Sequence, residues 1–123
     1  MRSHGFKCRG LRRTVVLALS LLTLLSACDR PPPLARGLPL SFGPTQYFDA
    51  RLKKRFPIGS DASKLMSELR IEGFEINGGR EPYQFSARYE VHDLACRESW
   101  AVYWAAEQGK IATIGGDSRQ TCL

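Results

Sequence analysis

The sequence predicts an α+β domain in which two short helices pack on a three-stranded antiparallel sheet, in the order α-α-β-β-β. Three patterns carry this expectation. Phe48, Leu52 and Phe56 recur every fourth residue, and Ala62, Leu65, Met66 and Leu69 follow at i, i+3, i+4 and i+7, the period of helices with one apolar face. Residues 85–92, FSARYEVH, alternate without a fault between apolar odd and polar even positions, the period of a half-buried strand. Trp100, Val102 and Trp104 then alternate with Ala101, Tyr103 and Ala105, and Glu107-Gln108-Gly109-Lys110 turns the chain into residues 111–114, a hairpin.

Each element has local stop and start signals. Thr45 is a good amino-terminal cap for the first helix, and Pro57 ends it because the residue before a proline is pushed out of the helical region. Pro57-Ile58-Gly59-Ser60 forms a turn, with Ser60 or Asp61 capping the second helix. Lys64 and Glu68 lie one turn apart on its polar side, and Gly73 supplies a left-handed stop with Phe74 just beyond. Gly78-Gly79 reads as the turn into the first strand. Short turns make neighbouring strands antiparallel, and a sheet this small needs the cover that two amphipathic helices supply.

The chain ahead of this domain has a different grammar. Arg2, Lys7, Arg9, Arg12 and Arg13 form a positive amino-terminal region, and residues 14–25 form an apolar run too short for the ~20 residues of a membrane-spanning helix. The run ends in Leu25-Ser26-Ala27-Cys28, an aliphatic residue, two small ones and a cysteine. This resembles the lipobox of bacterial lipoproteins. The resemblance implies that residues 1–27 are a signal peptide, that cleavage leaves Cys28 first, and that its thiol carries a diacylglyceryl group. The mature chain would then be held by acyl chains such as palmitate in a membrane of the cell envelope, facing the periplasm. Each buried methylene contributes ~0.8 kcal/mol, so more than one chain makes such an anchor stable. An ordinary secretory signal with an incidental cysteine is the alternative. Asp29 resembles the inner-membrane retention signal of enterobacterial lipoproteins and leans towards that membrane; otherwise it is a solvated residue at the start of a linker.

Residues 28–44 read as the lipidated cysteine and a proline-rich tether, leaving 45–123 as the folded domain. Pro31, Pro32, Pro33, Pro39 and Pro44 with Gly37 and Gly43 block helices and favour an extended chain. The alternative is that Leu34, Leu38, Leu40 and Phe42 pack part of this segment back onto the domain.

The formal charge of +6 belongs mostly to the leader, since five of the eighteen Lys and Arg lie in residues 1–27 and no acidic residue does. From Cys28 onward thirteen basic residues face twelve acidic ones, which removes the case for nucleic acid. With Cys28 capped by lipid, Cys96 and Cys122 remain as a pair for an oxidising compartment, and a bridge over about 25 residues adds ~3–4 kcal/mol. Two reduced, buried thiols are the alternative. Only His92 could join them on a zinc ion, so no metal and no cofactor is expected.

Catalytic motifs are scarce. His92 is the only histidine after the leader, and no Gly-x-Ser-x-Gly elbow or phosphate-binding glycine loop occurs. His92, Asp93 and Ser99 do not make a triad, because neighbours on a strand point to opposite faces. The expectation is a domain without catalytic residues. Two sets of interaction candidates stand out: Trp100, Tyr103 and Trp104, which put aromatic area on both faces of the sheet, and the basic cluster Arg51, Lys53, Lys54 and Arg55. One aromatic set is core; the other is either a partner-binding surface or is covered by the linker or the termini. The basic cluster is either a solvated face or is aimed at anionic lipid headgroups or an acidic partner.

The order of lipobox, tether, two helices and antiparallel sheet is similar to the SmpA/OmlA-type lipoproteins that assist outer-membrane protein assembly, and to β-lactamase-inhibitor-like modules. The local match is Ile58-Gly59-Ser60 opening a helix, and the departure is Glu72-Gly73-Phe74, where those lipoproteins have Leu-Gly-x-Pro. Together these readings lead to a non-catalytic, lipid-anchored envelope protein that binds another envelope component. The competing class, a cell-wall hydrolase or carbohydrate-binding protein, predicts a concave pocket with convergent carboxylates instead of a flat aromatic patch.

Overall fold

Helix α1 (Pro44–Arg55) and helix α2 (Ala62–Ile71) precede four strands, β1 (Glu75–Gly78), β2 (Phe85–His92), β3 (Cys96–Glu107) and β4 (Lys110–Cys122). The computed structural model describes residues 30–38 and 44–123, so Cys28 and Asp29 lie outside the described residues. The strands form one antiparallel meander in the order β1-β2-β3-β4.

The α+β class and the two helices are as expected, but the sheet has four strands, not three. The added strand β1 pairs Glu75 with Arg88 through to Gly78 with Phe85. Only Ile76 within it is even half-buried, so it carries no alternation to read; β2 holds it in place. Gly78 therefore ends a strand, and the reversal falls on the following residues, closed by the Gly79 N–H donating to the Gln84 carbonyl at 2.9 Å. Strand β4 also runs well past residue 114, through Gly115 and Gly116, because β3 supplies a partner for every residue to Cys122.

The core lies between the helices and one face of the sheet. Phe48, Leu52 and Phe56 of the α1 stripe, with Ala62, Leu65 and Leu69 of α2, are buried against Ala87, Trp100, Val102, Trp104, Ile111 and Ile114. Each such large side chain contributes ~1.5–3 kcal/mol by leaving water. Phe85 stacks on Trp104 with centroids 5.5 Å apart, and Tyr89 bridges Trp100 and Phe74 in tilted contacts.

Asp61, not Ser60, caps α2: its Oδ1 accepts the N–H groups of Ser63 at 2.8 Å and Lys64 at 3.2 Å. The bond to the Ser63 hydroxyl and then these N–H groups hold the Asp61 carboxyl below the usual range. Gly73 adopts φ +94° and the Phe74 N–H reaches back to the Leu69 carbonyl, the expected stop. Thr45 does not cap α1. It lies inside the helix, and its hydroxyl reaches β4.

In its described part the proline-rich segment takes the packed alternative, with Leu34 buried and Leu38 against the core, while Leu40 and Phe42 lie outside the described residues. Pro32, Leu34 and Ala35 are buried, and residues 33–35 form a 3-10 turn. Glu72 accepts the Leu34 N–H at 2.9 Å, while Arg51 donates to the carbonyls of Leu34 at 3.3 Å and Arg36 at 2.6 Å. The apolar side chains fill space between α1 and the end of α2, and these two charged groups bind the backbone that proline leaves unpaired.

Candidate functional site

The two faces of β3 separate the aromatic candidates. Trp100 and Trp104, 3% and 0% exposed, belong to the core and are not available to a partner. The register explains this, since both sit opposite core positions, Tyr89 and Phe85 on β2, Ser118 and Ile114 on β4. Tyr103 points to the other face, where Ser86 and Gly115 flank it. That face carries Glu75, Arg88 and Asp117 in one row, and Glu90, Ser99 and Arg119 in another.

Tyr103 is joined by a residue that periodicity does not reveal. Tyr83, from the β1–β2 loop beside the cis Glu81–Pro82 bond, lies over the sheet with its ring 5.7 Å from that of Tyr103. Its hydroxyl lies beside Gly115, 3.4 Å from where a Cβ there would sit, an ordinary contact distance. Together with Arg80, Glu81, Ser86 and Arg88 the two tyrosines line an open cavity of about 480 Å³. Phenol rings offer flat apolar faces with polar tips, and guanidinium groups offer paired donors for a carboxylate or phosphate. Arg88 lies 3.6 Å from Glu90, and Arg80 is exposed in the loop. The only advance signal was the loop's Arg-Glu-Pro-Tyr sequence, whose tyrosine has no partner until β3 passes beneath it.

The basic cluster of α1 is divided by the fold. Arg51 clamps the docked segment, and Lys53 pairs with Asp49 at 2.7 Å. Arg55 bridges Glu72 and, at 2.7 Å, Glu68. Burial works against its charge, yet the hydrogen bond and attraction from Glu72, and then those from Glu68, outweigh it and raise its pKa. Lys54 is exposed, with no ion pair among the described residues.

At the far end of the sheet, Cys96 and Cys122 are directly opposite in register and joined by a disulfide, with Cα atoms 4.0 Å apart. Asp93 closes the adjacent loop: its Oδ1 accepts the N–H groups of Cys96 and Ala95, each at 2.7 Å, which holds its carboxyl low. That carboxylate oxygen is therefore occupied by its own turn. His92 instead lies 3.5 Å from Glu90.

Among the described residues no three His, Cys, Asp or Glu side chains cluster as a metal site, and no helix is long and apolar enough to cross a membrane. In comparisons with known proteins, no family model, no curated protein and no solved structure matches the chain.

Proposed function

We propose that the chain is a lipid-anchored protein of the bacterial cell envelope whose domain binds another envelope component through the open face of its sheet. The observation that carries the binding surface is the pairing of Tyr83 with Tyr103 beside Arg80 and Arg88, on the side of the sheet opposite the buried tryptophans. Leu25-Ser26-Ala27-Cys28, after its charged and apolar flanks, supports the anchor, and the Cys96–Cys122 disulfide supports an oxidising compartment. Binding in the plane of a membrane raises the effective concentration of a weak contact. A photo-crosslinking residue at position 103 in intact cells is expected to capture one discrete envelope partner, and Tyr83→Ala is expected to abolish the product. Recovery of nothing above background overturns the binding reading. Cys28→Ala is expected to accumulate a precursor without fatty acid, and normal maturation of that variant overturns the anchor.

A second reading is favoured by the concavity of this groove. Tyrosine faces stack on sugar rings, and Arg80 and Arg88 outnumber the one carboxylate, Glu81, so the lining suits binding of an acidic cell-wall glycan better than its hydrolysis. Retention of the protein on purified wall sacculi, lost in Arg88→Ala, distinguishes this reading from a protein partner.

A further inference from the structure

We propose that the helix layer, α1 and α2 with the docked segment between them, is the surface that rests on the membrane, and that its ligand is a layer of anionic phospholipid headgroups. This rests on the reading of Cys28 as the lipidated residue and adds to it an orientation. Two independent observations converge on it.

The first is the length of the leash. A free tether from residue 28 to 44 would hold the domain tens of Å from the bilayer. Pro32, Leu34 and Ala35 are instead buried in the domain, held by Glu72 and Arg51. Only Asp29 and Arg30 separate Cys28 from Pro31, and three Cα steps reach about 11 Å at full extension. That is close to the ~8 Å over which charge acts in physiological salt. The segment entered by this leash lies on the helix side of the sheet.

The second is charge. Residues 30–72, which contain the docked segment and both helices, carry eight Lys and Arg against four Asp and Glu, a net +4. Residues 73–123, the sheet, carry five against seven, a net −2. The mature chain, nearly neutral as a whole, is therefore strongly asymmetric. The internal ion pairs of Arg55 and Lys53 consume acidic groups, while Arg36, Lys54 and Arg70 remain exposed on the helix side. An anionic headgroup layer attracts juxtamembrane basic residues within a Debye length of its surface. Seating the helix layer there turns Tyr83 and Tyr103 away from the bilayer.

The test uses the mature protein, its intact mass first checked for the acyl modification. It is reconstituted in vesicles of phosphatidylcholine, with or without a third of phosphatidylglycerol, and treated with an arginine-selective dicarbonyl. Modification of Arg36 and Arg70 is expected to slow several-fold in the anionic vesicles, with Arg88 and Arg119 on the open face unchanged. The double variant Lys54→Glu, Arg70→Glu, both positions exposed, is expected to lose the protection of Arg36 while keeping the melting midpoint. A lipidated protein whose arginines react alike in both vesicles, or whose open face is the protected one, overturns this inference alone. A mass without the acyl group overturns the anchored reading and this inference together.

Discussion

Asp49 accepts the backbone N–H of Gly116 on its Oδ1 at 2.9 Å, so a helix side chain takes the place of a fifth strand at the edge of the sheet. One turn earlier on α1, the Thr45 hydroxyl donates to the Ser118 carbonyl at 3.1 Å, covering the next residue of β4 whose backbone groups point away from β3. A long edge strand with free N–H and C=O groups is a template for pairing with other chains. The two α1 side chains close that template along the middle of β4.

The double variant Thr45→Ala, Asp49→Ala is expected to lose ~1–3 kcal/mol, the cost of leaving part-buried backbone groups without partners, and to self-associate as concentration rises. Denaturant unfolding and light scattering measure the two effects. Lys53→Ala, whose exposed ammonium pairs only with Asp49 among the described residues, is the control and should change stability by under ~1 kcal/mol.

Gly116 is a packing requirement. A Cβ there would lie 2.8 Å from Cδ1 of Phe48 and 3.1 Å from Cδ2 of Leu52, both buried. Gly116→Ala is expected to cost ~1–3 kcal/mol in urea unfolding, and Phe48→Leu in the same chain to recover part of it. Gly78→Ala, which meets nothing within 4 Å, should be nearly neutral.

The docked segment depends on Arg51 and Leu34. Arg51→Ala removes the donor to two carbonyls, and trypsin is expected to cleave after Arg36 several-fold faster than in the parent. Leu34→Ala, at a site 2% exposed, is expected to cost ~2–5 kcal/mol. Unchanged cleavage in both variants would contradict the clamp.

Reduction of the disulfide, or Cys96→Ser with Cys122→Ser, is expected to lower stability by ~3–4 kcal/mol and the melting midpoint by more than about 10 °C. The closed loop spans 26 residues and contains the whole β3–β4 hairpin, so its release frees the carboxyl-terminal strand first. Calorimetry with and without reductant measures this.

Asp61 and Asp93 both hold their protons less tightly folded than unfolded, through the Ser63 hydroxyl and N–H groups at Asp61 and the Cys96 and Ala95 N–H groups at Asp93. Their contribution is complete above the unfolded carboxylate range, near pH 4, and is lost as pH falls through the lower folded values. The melting midpoint should therefore fall below about pH 4, and less steeply in Asp61→Ala, which has already lost its share at neutral pH.

The local patterns of the sequence determined the elements that satisfy their own periodicity. The fourfold spacing of Phe48, Leu52 and Phe56 marked a helix face that is wholly buried, and residues 85–92 marked the inner and outer faces of β2. With Cys28 read as the lipidated residue, the cysteine count left Cys96 and Cys122 as the expected pair, and register places them opposite each other. Tertiary structure alone decided what depends on a partner distant in the chain. Strand β1 exists because β2 offers it an edge, and Thr45 leaves its cap role because Ser118 lies within reach. Leu34 packs because α1 and α2 leave a gap that Glu72 and Arg51 can close over it. Alternation showed that Trp100 and Trp104 oppose Tyr103, but which side faces solvent followed only from where the helices settled. Periodicity is a property of neighbours along the chain, whereas burial and edge pairing are set by groups that meet only after the chain has folded.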